Sequence, residues 1–302
     1  MSSSKLAPVA LFVYNRPRHT RRVLAALRGC AGAGDSDLFV YADGARGAAD
    51  GRLVAEVRRE LAGLDGFRQV RVVERETNRG LASNIVEGVS EVVGEYGRII
   101  VLEDDIVVGP HFLEFMNRAL DHYRERLEVW HVAGWNYPID PAGLDELFLW
   151  RVMLCWGWAT WVDRWRHFER DPEKLLAEFT PEQVDWFNLD GAREAWSQVE
   201  ANARGEISTW AVFWQAAIAR RRGLCLTPLR ALTQNIGHDG SGVHCGRRRV
   251  SDPPPDADLP ERFPETMRED ERVVRRLKEY FYKNRPCLPL RLAGRIKRMM
   301  LG

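Results

Sequence analysis

Three consecutive carboxylates, Glu103, Asp104 and Asp105, follow directly on the apolar run Arg98-Ile-Ile-Val-Leu102. Side by side they repel one another unless a cation or hydrogen-bond donors sit among them. Hard divalent ions such as Mg2+ or Mn2+ take oxygen ligands and share them with substrate phosphates, so such a cluster could hold a metal against a diphosphate. Two other apolar runs also end in polar residues: Val9 to Tyr14 stops at Asn15-Arg16-Pro17, and Asp37 to Ala42 stops at Asp43-Gly44. The same triplet could equally be an acidic turn facing water. Neither a G-x-G-x-x-G loop nor a phosphate-cradling G-x-x-x-x-G-K-[ST] follows the first run, so a nucleotide would not be held by a glycine-rich loop.

The segments that must carry these residues alternate in period. The near-continuous apolar run at 9–14 predicts a strand buried on both faces, and the segments at 37–42, 69–73 and 98–102 predict three more strands. Between them, Thr20 to Leu27, Leu53 to Leu64 and Leu81 to Val93 carry helical spacing. Strand and helix in alternation predict an α/β fold with a mostly parallel sheet flanked by helices. Ligands in such sheets sit beyond the carboxyl ends of the strands, where the three polar endings fall.

The chain has 302 residues with 44 Lys+Arg against 43 Asp+Glu, a formal charge of +1, and is 45% apolar. That composition is globular, and the charge balance argues against nucleic-acid binding through bulk positive charge. Five scattered cysteines (Cys30, Cys155, Cys225, Cys245, Cys287) form no C-x-x-C pair, which fits a reducing compartment better than a disulfide framework. The N-terminal apolar run of about eight residues is too short for a signal-peptide core, and nothing approaches the roughly 20 residues of a membrane span. A cytoplasmic protein is expected.

The character changes after residue 128. All eleven tryptophans lie between Trp130 and Trp214, most densely in WRVMLCWGWATWVDRW at 150–165. They read as core for a half without Val/Ile-rich strands, or as rings that stack on sugars, and different rings can do either. A Pro- and acid-rich stretch at 251–264 reads as a linker or surface strap, and Arg268 to Tyr282 as a helix. From Tyr280 to Gly302 there are six Lys/Arg and no Asp/Glu, with Leu288, Leu292 and Ile296 at helical spacing. Residues 284–302 are thus either a docked basic helix or a peripheral contact with an anionic membrane. The expected organisation is a first half at 1–128, a second half of the same domain at 129–245, and a linker with a basic helical tail at 246–302.

VALFVYNRP, the Asp43 turn, NRGLASN at 78–84 and IIVLEDDIVVGPHFLEFMNRAL together resemble the nucleotide-binding half of a GT-A glycosyltransferase. CWGWATWVDRW at 155–165 and QNIGHDGSGVHC at 234–245 resemble a bacterial sugar-transferase group within that class, distantly similar to N-acetylglucosaminyltransferases of the GnT-I type. The resemblance spans roughly residues 8–245. It implies a Rossmann-like GT-A fold and transfer from a nucleotide-diphosphate sugar to a hydroxyl of a glycan or lipid-linked acceptor. The expected setting is bacterial cell-surface polysaccharide synthesis, at the cytosolic face of the inner membrane, with Mn2+ or Mg2+ and inversion at the anomeric carbon. Asp105 matches the metal-coordinating position, with His244, or His238, as a late metal or phosphate contact. Tyr14, Asn15, Arg16, Asp43, Asn78, Glu103 and Asp104 fall on the donor side, with Asp43 matching an acid that meets the base. Trp135, Trp156, Trp158 and Trp210 are expected on the acceptor side. Ala211 stands where the resemblance leads one to expect the catalytic acid, so Asp239 or Asp163 would have to serve, and Asp163 could instead simply partner Arg164 or Arg166. A carbohydrate-binding protein on a degenerate transferase fold and a sugar nucleotidyltransferase stay open. Turnover of a nucleotide sugar separates the first, and release of pyrophosphate identifies the second.

Overall fold

A computed structural model describes residues 6–239, 255 and 257–284. Eight strands form one sheet. They are β1 (Val9–Val13), β2 (Asp37–Ala42), β3 (Gln69–Glu74), β4 (Arg98–Glu103), β6 (Val129–Ala133), β7 (Leu147–Trp150), β8 (Trp158–Trp161) and β9 (Leu224–Pro228), in the order β3-β2-β1-β4-β8-β6-β9-β7. A separate ribbon pairs β5 (Ile106–Val108) antiparallel with β10 (Thr233–Asn235).

The first half follows the sequence expectation closely. Strands β1 to β4 are mutually parallel, linked by α1 (Pro17–Arg28), α2 (Ala48–Leu61) and α3 (Leu81–Tyr96). Alternate residues of β1 feed two cores: Val9, Leu11 and Val13 meet the faces of α1 and α2, whereas Ala10 and Phe12 meet α3. That two-sided burial is why the strand reads as a continuous apolar run. Helix α3 lies close enough that a Cβ on Gly88 would come within 2.9 Å of the Phe12 and Tyr41 rings. Strand order runs outward from β1 to β3 and then returns across β1 to β4. The crevice between the carboxyl ends of β1 and β4 is therefore a topological switch point.

The second half does contain strands, built from the aromatics themselves. Trp130 lies in β6, Trp150 in β7, and Trp158 and Trp161 in β8. Large aromatics suit pleated, buried surfaces as well as β-branched residues do. These strands extend the same sheet: β8 is antiparallel to β4 and β6, β9 is parallel to β6, and β7 is antiparallel to β9. Helix α4 (Phe112–His122) packs with α1 and α2, and α9 (Ala211–Arg220) lies on the α3 side. The short helices α5 (Val162–Trp165), α6 (Pro172–Glu178), α7 (Pro181–Phe187) and α8 (Ser197–Ala203) follow β8, and residues of α6, α7 and α8 close a third small core against Phe213 of α9.

Residues 257–270 form a strap. Phe263 stacks on His122 and Phe115, and Tyr123 donates a hydrogen bond to the Pro264 carbonyl at 2.8 Å. It leads into α10 (Glu271–Lys283), whose Val273, Val274 and Leu277 are buried. The expected basic helix at 288–301 lies outside the described residues. No helix among the described residues is long and apolar enough to cross a membrane.

Candidate active site

At the switch point the loop after β1 faces the loop after β4. Arg16 reaches across with Nη1 2.8 Å from Asp105 Oδ2 and 3.5 Å from Asp104 Oδ1. The Tyr14 amide donates to Asp104 Oδ2 at 3.3 Å. One guanidinium thus answers two carboxylates, with a third, Glu103, next to them. Burial pushes the Glu103 carboxyl well above the usual range, and Asp105 and Asp104 add to it; Asp104 is raised by burial and then by Asp105. The Arg16 charge opposes both shifts without cancelling them.

The second half closes this crevice from above. Pairing of β10 with β5 brings residues 235–239 over the triplet, and the Ile236 amide donates to the Asp105 carbonyl at 2.8 Å. Gly237 lies so near that a Cβ there would be 2.2 Å from Asp105 Oδ2. Asp239 Oδ2 is 3.3 Å from His19 Nε2, so Asp239 stands at the same end of the sheet as the triplet. His238 stands edge-on to Trp156, ring centroids 5.5 Å apart. His244 lies outside the described residues.

Asp163 is placed elsewhere, and the expectation that it could act as base is corrected. β8 runs antiparallel to β4 with Trp161 opposite Arg98, so Asp163 lies past the amino end of β4 while the triplet lies past its carboxyl end. Five residues of strand separate the two ends by about 17 Å. Both Asp163 oxygens pair with Arg164 Nη1, at 2.8 and 2.7 Å, the structural partnership that the sequence left open.

Asp43 is a clamp. Its Oδ1 accepts from the Gly44 and Arg79 amides at 2.9 and 2.8 Å, and its Oδ2 from Asn78 Nδ2 and the Gly80 amide at 2.9 and 3.0 Å. With four donors on two oxygens the carboxylate is saturated, which leaves no acceptor for the expected contact to a base. Asn78 belongs to the same clamp and also donates to the Gly44 carbonyl at 2.8 Å. Sequence reasoning missed Asp50, which accepts from the Tyr14 hydroxyl at 2.7 Å and from Asn15 Nδ2 at 3.1 Å. The signal available was an acid in the first turn of α2, a favourable place for negative charge. His19 was missed as well, since nothing in α1 marks it apart.

The tryptophans divide. Trp158 and Trp210 are buried and stacked on each other with centroids 5.1 Å apart, so they are core and not acceptor surface, contrary to expectation. Trp135 and Trp156 instead line a cleft of about 250 Å³ together with Tyr137, Arg193 and Ala211. Trp135 follows β6 and Trp156 precedes β8, which puts both at the carboxyl-end edge of the sheet beside the 235–239 loop.

The profile described as Glycosyl transferase family 2 matches residues 10–182. The chain belongs to glycosyl transferase family 2. Membership of this family fits the GT-A fold seen here. Among solved structures, residues 1–349 of S. aureus TarS are similar at 10% identity, with a TM-score of 0.41 and coverage of 75% of this chain and 59% of that one. A mannosyltransferase from Pyrobaculum calidifontis, PcManGT, in complex with GDP-Man and Mn2+, is similar at 13% identity, TM-score 0.39, with 72% of each chain covered. The chain thus spans less than two thirds of that TarS fragment. No curated protein matched the sequence. The family match ends at residue 182, so the 235–239 loop, the cleft side chain Arg193 and the strap lie outside it.

Proposed function

We propose that this family 2 enzyme transfers a sugar from a nucleotide-diphosphate donor to a hydroxyl of a glycan or lipid-linked acceptor, using a divalent metal and inverting the anomeric centre. The observation that carries this reading is the acidic triplet at the β1/β4 switch point, bridged by Arg16 and covered by residues 235–239. The donor set fits a hard cation. Asp104 and Asp105 offer adjacent carboxylate oxygens, and such ions commonly take one or two carboxylates and complete their shell from phosphate and water. Among the described residues no three His, Cys, Asp or Glu side chains form a ready-made cage, so phosphate oxygens would supply the remaining ligands. Mn2+ or Mg2+ held by Asp105 with Asp104 would neutralise the leaving diphosphate.

The remaining roles belong to the chain's own side chains. Arg16 moves from the carboxylates to the diphosphate as the donor enters, since the donor's charge competes for the same guanidinium. Tyr14 and Asn15, steadied by Asp50, form the nucleotide side of the crevice. Asp239 accepts the proton of the acceptor hydroxyl as its oxygen bonds to the anomeric carbon and the bond to the diphosphate breaks. His19 holds that carboxylate in place. The acceptor enters by the cleft between Trp135 and Trp156. The product would be a bacterial cell-surface glycan.

Thermal melting with UDP, GDP and dTDP, each with Mn2+ and with EDTA, tests the donor site. A ligand at a hundred times its Kd adds about 2.7 kcal/mol of stability. A metal-dependent rise with one nucleotide supports the reading and names the donor class. No rise with any of them, in a folded sample, removes it.

A further inference from the structure

Arg193 is partly buried on the wall of the Trp135/Trp156 cleft. The other buried or half-buried arginines between residues 129 and 239 are matched to acids, Arg151 to Glu269 and Asp190, Arg164 to Asp163, Arg220 to Glu169, whereas the unmatched ones are exposed. Among the described residues Arg193 has no carboxylate within ion-pair distance; its guanidinium lies over the Phe281 ring, 5.6 Å from the centroid. Burial raises the phenol of Tyr137, another wall residue, above its ordinary value, and the nearby Arg193 charge offsets part of that rise. A guanidinium drawn partly out of water with no counter-charge calls for an anion from outside.

The backbone that delivers Arg193 is built at a cost. Leu189, Asp190 and Gly191 are three consecutive left-handed residues, with φ of 54°, 50° and 72°. Such conformations cost of order 1–3 kcal/mol for residues with a side chain, and persist only where surroundings over-determine them. Here they do. Asp190 is pinned by Arg151 at 2.8 Å and Lys278 at 2.5 Å, and the Asn188 carbonyl accepts from the Arg193 amide at 2.8 Å. Ala211 lines the same cleft. An acid there, as the resemblance led one to expect, would neutralise Arg193 and repel an anionic ligand; alanine does neither.

We propose that the cleft takes an acidic sugar as acceptor, its carboxylate or phosphate held by Arg193 while the Trp135 and Trp156 rings meet its C–H faces. The proposal rests on the cleft being the acceptor site. The full chain, with nucleotide diphosphate and Mn2+, is titrated by NMR with methyl glucuronide, glucose 6-phosphate and methyl glucoside. Wild type should bind at least one of the two acidic sugars about tenfold more tightly than the neutral one, and the pair distinguishes carboxylate from phosphate. Arg193→Gln should erase that preference with its melting temperature held, and Arg193→Lys should keep part of it. Equal binding of acidic and neutral sugars, or a preference that survives Arg193→Gln, overturns the proposal. If sugars bind equally and Trp156→Ala abolishes all of them, the acceptor cleft stands while the acidic acceptor falls. If no sugar binds wild type, both fall.

Discussion

Asp105 is the residue on which the donor-side chemistry turns. Its carboxylate faces Arg16 at 2.8 Å and has acidic neighbours on the chain, so removing it relieves repulsion as well as losing an ion pair. Asp105→Ala should therefore melt within a few degrees of wild type while metal-dependent turnover drops at least about a hundredfold, the scale of losing a several-kcal/mol charge stabilisation. Normal metal-dependent activity in that variant, measured over a Mn2+ series, would sink the assignment. Asp43 contrasts with it. From spacing alone the two acids look alike, each closing a strand, yet four donors occupy Asp43 and make it part of the scaffold.

At the scale of elements, the β5/β10 ribbon links the halves of the site. It carries residues 235–239 from a point about 130 residues downstream onto the triplet, and Gly237 is where the approach is tightest. Gly237→Ala must displace the Asp105 carboxylate, the softest of its close neighbours. Turnover should fall several-fold and the Mn2+ requirement rise, with little change in melting temperature. Gly34→Ala, which meets open space, should change neither and serves as the control. Unaltered Mn2+ dependence in Gly237→Ala would show that the ribbon does not set the position of Asp105. The turn at 189–191 does comparable work for Arg193, with ion pairs from β7's end and from α10 holding its strain in place.

At the scale of the molecule, the tryptophan-rich half is a core with a buried histidine at its centre. His131 Nε2 donates to the Leu154 carbonyl at 3.0 Å, and Nδ1 accepts from Trp214 Nε1 at 3.2 Å, so the neutral ring is held with both nitrogens used. Burial pushes its pKa down to about 3. The unfolded chain takes up this proton below about 6.5 and the native state does not, so the stability it confers is complete above 6.5 and is lost as pH falls toward 3. At pH 4.5 the loss from this group is about 2.7 kcal/mol. Denaturant titrations between pH 7 and 4.5 should show a steeper fall for wild type than for His131→Gln. Parallel curves would mean that His131 is not held neutral.

What the residues determined alone was periodic and local. Runs such as Val9 to Val13 and the helices after them were legible because burial on two faces forces a continuous apolar strand, and the triplet stood out because three carboxylates at the end of an apolar strand repel one another unless a cation or donors sit among them. The strands of the second half were not legible, since Trp-rich segments carry no alternation that separates strand from buried helix. Nor could spacing tell Asp163 from Asp239. Both follow a Trp- or Gly-rich segment, and only the antiparallel course of β8 sends one to the far edge of the sheet while β10 brings the other beside the triplet. Long-range pairing, which sums many weak contacts between distant segments, decided which tryptophans became core, which lined the cleft, and that Arg193 would stand there with no acid among the described residues to pair it.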